Sequence, residues 1–263
     1  MTRISIATFN VNSIKARLPN VLNWLDEAKP DIVLLQELKC VEEAFPAMEI
    51  EERSYNIAIH GQKTYNGVAI LSKFPIDEMA RGLPGDESDE QSRYIEAIIS
   101  LPGLAIRVAS AYVPNGQDVA SDKFPYKLKF YDRLLAHWRE RLLLNEVAVL
   151  GGDFNVAPEA IDVYDPKRSD GKICFHPEER KRLRALFHLG LYDAFRVVHP
   201  AKQQFSWWDY RQNAYDQGYG LRIDHLLLSA RANDALSDCM IDEVPRQQDK
   251  PSDHAPVVVT LNL

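Results

Sequence analysis

Cysteine is scarce in this chain, and the little present excludes several architectures. Cys40, Cys174 and Cys239 are the only three among 263 residues and lie far apart. None forms a C-x-x-C pair or a Cys/His spacing, so neither a disulfide framework nor a structural zinc site is expected, and a reducing, cytoplasmic setting is. No apolar run is long enough to span a bilayer, and the opening residues lack the apolar core of a signal peptide. Internal repeats, low-complexity tracts and linkers are absent too. Net positive charge is also lacking: the balance is −7. That is awkward for a nucleic-acid ligand, because Lys and Arg supply most of the non-specific affinity for phosphate. The acid, however, is concentrated at 49–53 and 86–90. Basic residues gather at Lys15 and Arg17, at 123–129 and at 167–172. A local basic patch, or a metal on an acidic site, can hold a phosphate despite the overall sign.

Short β-branched runs alternate with longer amphipathic ones. Strands are predicted at 4–9, 32–35, 55–60, 67–71, 95–100, 104–112, 147–150, 205–208, 223–229 and 257–261. A helical stripe of Leu18, Val21, Leu22, Trp24 and Leu25 is closed by Pro30. Residues 124–144 carry Phe130, Leu134, Leu135, Trp138 and Leu142 on one face, and 177–189 reads as a basic helix. Residues 162–175 read as a charged loop holding Pro166 and Gly171. One α/β domain of mixed sheets covered by helices, spanning 1–263, fits this pattern.

The polar residues share a placement. Asn10 and Asn12 follow the first strand, and Glu37 follows the second. Tyr112 and Asn115 follow 104–111, and Asp153 and Asn155 follow 147–150. Asp224 opens 223–229, and Asp253 and His254 precede 257–261. Singly, each has a bland explanation: an Asn after a strand is usually a turn former, and Glu37 a solvated loop residue. Jointly, so many acceptors at the ends of apolar strands point to one small volume positioned by rigid backbone. Oxygen donors without cysteine suit a hard cation such as Mg²⁺, with Mn²⁺ as a substitute.

Several segments carry a family resemblance: Thr8-Phe9-Asn10-Val11-Asn12, Leu35-Gln36-Glu37-Leu38-Lys39, Tyr112-Val113-Pro114-Asn115-Gly116, Gly151-Gly152-Asp153-Phe154-Asn155, Phe205-Ser206-Trp207-Trp208-Asp209-Tyr210-Arg211, Gly220-Leu221-Arg222-Ile223-Asp224 and Pro251-Ser252-Asp253-His254. In this order they resemble the exonuclease III/abasic-site endonuclease branch of the endonuclease–exonuclease–phosphatase superfamily. The resemblance implies a four-layer αββα sandwich, two mixed β-sheets flanked by helices, as in deoxyribonuclease I. It implies a metal-dependent DNA phosphodiesterase of base excision repair. Such an enzyme incises 5′ to abasic sites and trims 3′ ends, leaving 3′-hydroxyl and 5′-phosphate. Its partner would be duplex DNA with abasic sites or blocked 3′ ends, met by a monomer away from membranes.

Roles follow from the same resemblance. Glu37 is the principal metal ligand, with Asn12, Asp153, Asn155, Asp253 and His254 around the metal. Some relatives carry Asp in place of Asn12. Asp153 is the candidate general base, with Asn10 orienting it and Asn155 bonding the scissile phosphate. Tyr112 contacts the phosphate and, as phenolate, is the rival base. Asp224 accepts from His254 and favours its charged form. Trp207, Leu221 and Ile223 surround a flipped-out abasic sugar. By residue type, Lys63, Arg93, Asn115, Lys123, Lys127 and Arg211 are candidate DNA-backbone contacts, with Trp208 beside them. Lysines on a helix face are ordinarily solvated, however, and adjacent tryptophans in a strand put one ring in the core. Cys174 falls in the loop bordering the sugar pocket, and its bulk is expected to shift the balance between abasic incision and 3′ trimming. Two other readings share this core: a phosphodiesterase of lipids or RNA, and a non-catalytic binding module. The tryptophan pair and the basic segments argue against a lipid substrate, and the intact motifs argue against the binding module.

Overall fold

The computed structural model describes residues 2–263. The chain begins β1 (Arg3–Asn10), α1 (Leu18–Ala28), β2 (Ile32–Gln36), α2 (Ala47–Glu51), β3 (Asn56–His60), β4 (Val68–Ser72) and β5 (Ile76–Arg81). It continues β6 (Tyr94–Leu101), β7 (Leu104–Tyr112), α3 (Lys123–Leu142), β8 (Ala148–Asp153), α4 (Pro166–Ser169), α5 (Pro177–His188), β9 (Tyr192–Asp193) and α6 (Ala194–Val198). It ends β10 (Trp207–Trp208), β11 (Gly220–Leu221), β12 (Asp224–Leu228), α7 (Ala230–Asp234), β13 (Leu236–Ile241) and β14 (Val257–Asn262).

Two six-stranded sheets result, in the orders β13-β14-β1-β2-β4-β3 and β5-β6-β7-β8-β12-β9. They pack face to face because alternate side chains of one strand point to opposite faces. In β2, Ile32 and Leu34 join the core between the sheets, with Ile6, Val108, Val149 and Leu226. Val33 and Leu35 instead face outward, under Val21, Trp24 and Leu25 of α1. The second sheet is covered likewise by Phe130, Leu134 and Trp138 of α3 and by Leu183 and Leu186 of α5. Strands buried on both faces explain the near-continuous apolar runs. The layers are those of the αββα sandwich.

The topology also explains where the polar ends meet. β1 and β2 run parallel, as do β7 and β8, so Asn10, Gln36, Tyr112 and Asp153 lie at the C-terminal ends of paired central strands. β12 runs antiparallel to β8 and starts opposite its end, pairing Asp224 with Asp153. β14 runs antiparallel to β1, with Val257 opposite Thr8, so the segment before it enters at the same edge. Gly151 and Gly152 permit this packing. A Cβ on Gly151 would stand 2.6 Å from Leu34 Cδ1 and 2.7 Å from Leu226 Cδ2, and one on Gly152 would run into the Ala111 carbonyl oxygen.

Three expectations need correction. β5 and β13 were not anticipated; both are edge strands, and β5 is mostly exposed, so neither shows an apolar alternation. Residues 162–175 are not a plain loop: α4 forms within them, capped by the Asp165 side chain. Asp162 itself is buried on Arg222 at 2.7 Å.

Candidate active site

Asn10, at the end of β1, sits at the centre. Its Nδ2 donates to Glu37 Oε1 and to Asp153 Oδ2, both at 2.9 Å, and so ties a carboxylate from each sheet. Asp153 Oδ2 also accepts from Asn155 Nδ2 at 3.2 Å, and Oδ1 from the Asn155 backbone N–H at 2.8 Å. A carboxylate offers about four lone-pair sites. Three are filled by amides, which leaves one for a water or an ion.

His254 faces this group from the segment before β14. Its Nδ1 lies 2.9 Å from Asp224 Oδ2, and its Nε2 lies 3.8 Å from Asp153 Oδ2. Ser206 Oγ donates to Asp224 Oδ2 at 2.7 Å and accepts the backbone N–H groups of Ile223 and Asp224, which locks that carboxylate. One oxygen of Glu37, one of Asp153 and a nitrogen of His254 all lie within 4.8 Å of one another.

Burial and charge set the protonation states. Burial, with Asp224 and Glu37 close by, holds the Asp153 carboxyl above the ordinary carboxylate range even though His254 opposes the rise. Burial works against the His254 charge, but Asp224 and Asp153 outweigh it and keep the ring protonated well above neutrality. In that state its Nε2–H is a donor on the side of Asp153. Burial pushes Glu37 up, yet Lys39 and the Asn10 amide prevail and hold it below its usual range. Burial and the charges of Glu37 and Asp153 drive Tyr112 far above the normal phenol range, so it stays a phenol.

The backbone at the rim is strained. Asn12, Glu37, Lys39, Asn155 and Cys174 all have left-handed φ between 44° and 67°. Asn tolerates this; for Glu and Cys it costs of order 1 kcal/mol or more and persists only where the surroundings enforce it. The hydrogen bonds from Asn10 and Lys39 to Glu37 are such an enforcement.

Beside this centre, Lys39 Nζ bridges Glu37 Oε2 at 2.9 Å and Asn12 Oδ1 at 2.5 Å. Asn12 Nδ2 donates to Asp253 Oδ1 at 2.9 Å, and the other Asp253 oxygen accepts from Trp207 Nε1 at 3.0 Å. Glu37, Asn115, Asp153, Cys174, Trp207 and Leu221 line one open cleft of about 410 Å³, which Ile223 and His254 also reach.

Comparison with known proteins identifies the family. The model of the endonuclease/exonuclease/phosphatase family matches residues 7–254. An exodeoxyribonuclease III from Haemophilus influenzae is 37% identical over 258 residues, covering 95% of this chain and 97% of its own. The chain belongs to the exonuclease III branch of this family. A solved 3′ phosphatase from Neisseria, bound to a product DNA hairpin, superposes with a TM-score of 0.95 at 39% identity and covers 99% of this chain and 100% of its own. An AP endonuclease from Archaeoglobus fulgidus superposes with a TM-score of 0.93 at 38% identity and the same coverage.

Within the family frame, several assignments from the sequence change. Lys127 cannot meet DNA: it is fully buried, and its Nζ donates to Glu179 Oε1 at 2.5 Å and to the carbonyls of Asn115 and Asn155. It braces the loops that carry Asn115 and Asn155. Trp208 is also buried, edge-on to Tyr215, while its neighbour Trp207 faces the cleft. Asp253 stands outside the Glu37–Asp153–His254 cluster, with its oxygens on Asn12 and Trp207. Lys63, Lys123 and Arg211 are exposed. Arg93 is half-buried, its guanidinium 4.7 Å from the Tyr112 ring centre.

Sequence reasoning assigned no part to Lys39, Ser206, Tyr210 or Arg246. The Tyr210 hydroxyl donates to Pro251 O at 2.8 Å and accepts from Arg17 at 3.1 Å. The buried Arg246 donates to Ser252 O at 2.5 Å among the rings of Trp208, Tyr210 and Tyr215. Both hold the segment carrying Asp253 and His254. Lys39 lies within the segment that carries Glu37, and Ser206 and Tyr210 within the one that carries Trp207, so membership of those motifs was their only sequence signal, and Arg246 had none.

Proposed function

We propose that this chain is a divalent-metal-dependent DNA phosphodiesterase of base excision repair. It incises 5′ to abasic sites and trims 3′ ends, leaving 3′-hydroxyl and 5′-phosphate. The observation that carries the reading is the convergence of Glu37, Asp153 and His254 within 4.8 Å from three distant parts of the chain. Relatives named as an exodeoxyribonuclease III, a 3′ phosphatase and an AP endonuclease support it over most of their lengths.

The donor set suits a hard cation. Glu37 and Asp153 offer carboxylate oxygens, and the one sulfur in the cleft is the Cys174 thiol, whose pKa burial pushes up to about 12. Mg²⁺ fits such donors, and Glu37 would hold it, which leaves the last free lone pair of Asp153 for the attacking water. When bound, it would polarise phosphate oxygens and offset charge on the leaving 3′-oxygen.

The chain's own groups account for the rest. Ionised Asp153, with one lone pair unclaimed, accepts a proton from the attacking water; its raised pKa makes it a stronger base than a solvated carboxylate. His254 donates its Nε2–H to a phosphate oxygen as charge grows there, held by Asp224 through Nδ1–H. Tyr112, unable to ionise near neutrality, serves as a hydroxyl donor and not as the base. Trp207, Leu221 and Ile223 give an apolar wall fitting an extruded abasic sugar, which is cheap to unstack because it has no base. The protein acts as a monomer in the cytoplasm, where its three unpaired cysteines stay reduced.

Nicking of an abasic duplex is the test. Incision should require Mg²⁺, stop with EDTA and leave a 3′-hydroxyl that a polymerase extends, with the baseless sugar phosphate retained on the 5′ end. Metal-independent cleavage, or hydrolysis of lipid phosphodiesters in place of DNA, would sink the reading.

A further inference from the structure

The catalytic cleft does not end at Trp207. Trp207, Asp209 and Arg211 also line a second cleft of about 320 Å³, whose far wall is Tyr164 and Tyr219. Those two tyrosines in turn form the near wall of a third cleft of about 530 Å³, lined beyond them by Asp165, Lys167 and Arg168. The tyrosines thus line both concavities, the first of which shares Trp207, Asp209 and Arg211 with the active-site cleft. Their rings lie 4.9 Å apart at 32°, and Tyr219 is 42% exposed. Neither hydroxyl has a hydrogen-bond partner among the described residues, so the pair owes its position to its backbone. The Tyr164 N–H donates to Gly220 O at 3.1 Å, that of Tyr219 to Ala214 O at 2.8 Å, and Val163 bridges Leu221.

Cations flank the tyrosine pair. Arg211 is 85% exposed at the inner side and pairs with Asp209 alone, its Nη2 2.6 Å from Oδ2. At the outer side Lys167 and Arg168 have no ion pair among the described residues, and Asp165 is engaged in capping the Arg168 backbone N–H at 3.0 Å. The partly exposed tyrosine pair thus has Lys167 and Arg168, free of ion pairs among the described residues, on one side and the exposed but Asp209-paired Arg211 on the other. These are elements by which proteins hold unpaired nucleotides: a ring stacks on a base, and cations meet its phosphates.

We propose that Tyr164 and Tyr219 form a stacking shelf for an unpaired base of the bound DNA, next to the scissile position. The inference rests on the phosphodiesterase reading and deepens it. The enzyme should favour sites whose flank is frayed, mismatched or gapped over those in perfect duplex.

The test uses abasic duplexes with 2-aminopurine placed near the site on either side, paired or mismatched. Binding is measured with Mg²⁺ in Asp153→Asn protein, so that cleavage does not intervene. Mismatched 2-aminopurine should be quenched on one side of the site, and the mismatched duplex should bind more tightly than the paired one. Tyr164→Leu and Tyr219→Leu keep bulk but lose the π-face. Each should abolish the quench and weaken binding of the mismatched duplex by at least about five-fold, the low end of one base–aromatic stack, with the paired duplex unaffected. Tyr219→Phe should behave as the parent. Quenching and a binding preference that persist in the double leucine variant would overturn the shelf. Wild-type protein that nicks abasic DNA without any preference for an unpaired flank would overturn the shelf alone. Failure to nick at all would remove the underlying reading and the shelf with it.

Discussion

Two buried polar clusters meet at the start of β12, one through Arg222 and His225 and the other through Asp224, and their charge balance differs. Around Arg222 the charges are matched. Its guanidinium meets Asp162 at 2.7 Å and Asp193 at 2.7 Å, and Arg196 adds a second bond to Asp162. Burial pushes Asp193 up, but Arg222 prevails and holds it below its usual range. His225 is kept neutral by burial and by Arg222, and its Nε2 lies 2.9 Å from Val156 O. Around His254 the charges are not matched. Glu37, Asp153 and Asp224 face one imidazolium and, at the margin, Lys39. Asp153 is therefore raised where Asp193 is lowered. A fully compensated cluster is structure; an under-compensated one keeps a lone pair and a residual negative charge available for chemistry.

Removing the cation from the matched cluster should have the largest effect. Arg222→Met leaves Asp193 and part of Asp162 buried without a counter-charge, and is expected to cost about 3–5 kcal/mol of stability in urea unfolding. A loss below about 1 kcal/mol would mean that the pairs are not compensating each other. The unmatched cluster should respond the other way. His254→Ala and Asp153→Asn are expected to lower abasic incision by about 10²-fold or more. Asp153→Asn should shift the urea midpoint only modestly, because relief of an under-compensated buried charge is opposed by an amide N–H set against the Asn10 or Asn155 donors. Incision within a few-fold of wild type in both variants would take them out of the mechanism.

Glu96 sharpens the comparison away from the site. This buried carboxylate accepts from Tyr94 and Arg107 at 2.6 Å and lies 2.7 Å from His137 Nε2 and 2.9 Å from Arg141. Burial alone would raise its pKa, yet these bonds and charges hold it at about 2 against an ordinary 4.5. Because the folded value is depressed, its stabilisation is present above pH 4.5 and is lost as pH falls toward 2. Glu96→Gln should lose on the order of 2–3 kcal/mol at pH 7. The gap to wild type should close toward pH 2, and incision should remain near normal. A gap independent of pH would point to packing in place of charge.

The sheets were legible in the sequence wherever a strand is buried on both faces, as in Ile32 to Leu35. They were illegible at the edges, where β5 turns Asp77, Glu78 and Arg81 to solvent. Convergence of Glu37, Asp153 and His254 could be anticipated from their positions at strand ends, because parallel pairing brings such ends to one edge. Lys127 was misread through residue type alone. It falls on the buried stripe Phe124, Lys127, Tyr131, Leu134, Trp138, a helical spacing visible in the sequence. An amphipathic period outranks a charge when a carboxylate such as Glu179 waits on the facing helix. The supports from Ser206, Tyr210 and Arg246 depend on tertiary neighbours that no local pattern encodes.

Cys174 should give the smallest effect, and it lies on the border between the two kinds of environment. Its sulfur is 3.7 Å from Asn115 Nδ2 and 4.0 Å from Asn155 Oδ1, in the wall of the cleft that Trp207, Leu221 and Ile223 also line. Its φ of 67° is a conformation that glycine adopts without strain. In Cys174→Gly the relieved strain, of order 1 kcal/mol, should largely offset the lost burial of the thiol, so stability should shift by less than about 1 kcal/mol. The enlarged wall leaves more room next to Asn155 and Ile223. Abasic incision should therefore gain a few-fold relative to 3′ trimming, measured on matched duplexes with the same preparation. An unchanged ratio would show that the width of the pocket at this point does not discriminate between the two substrates.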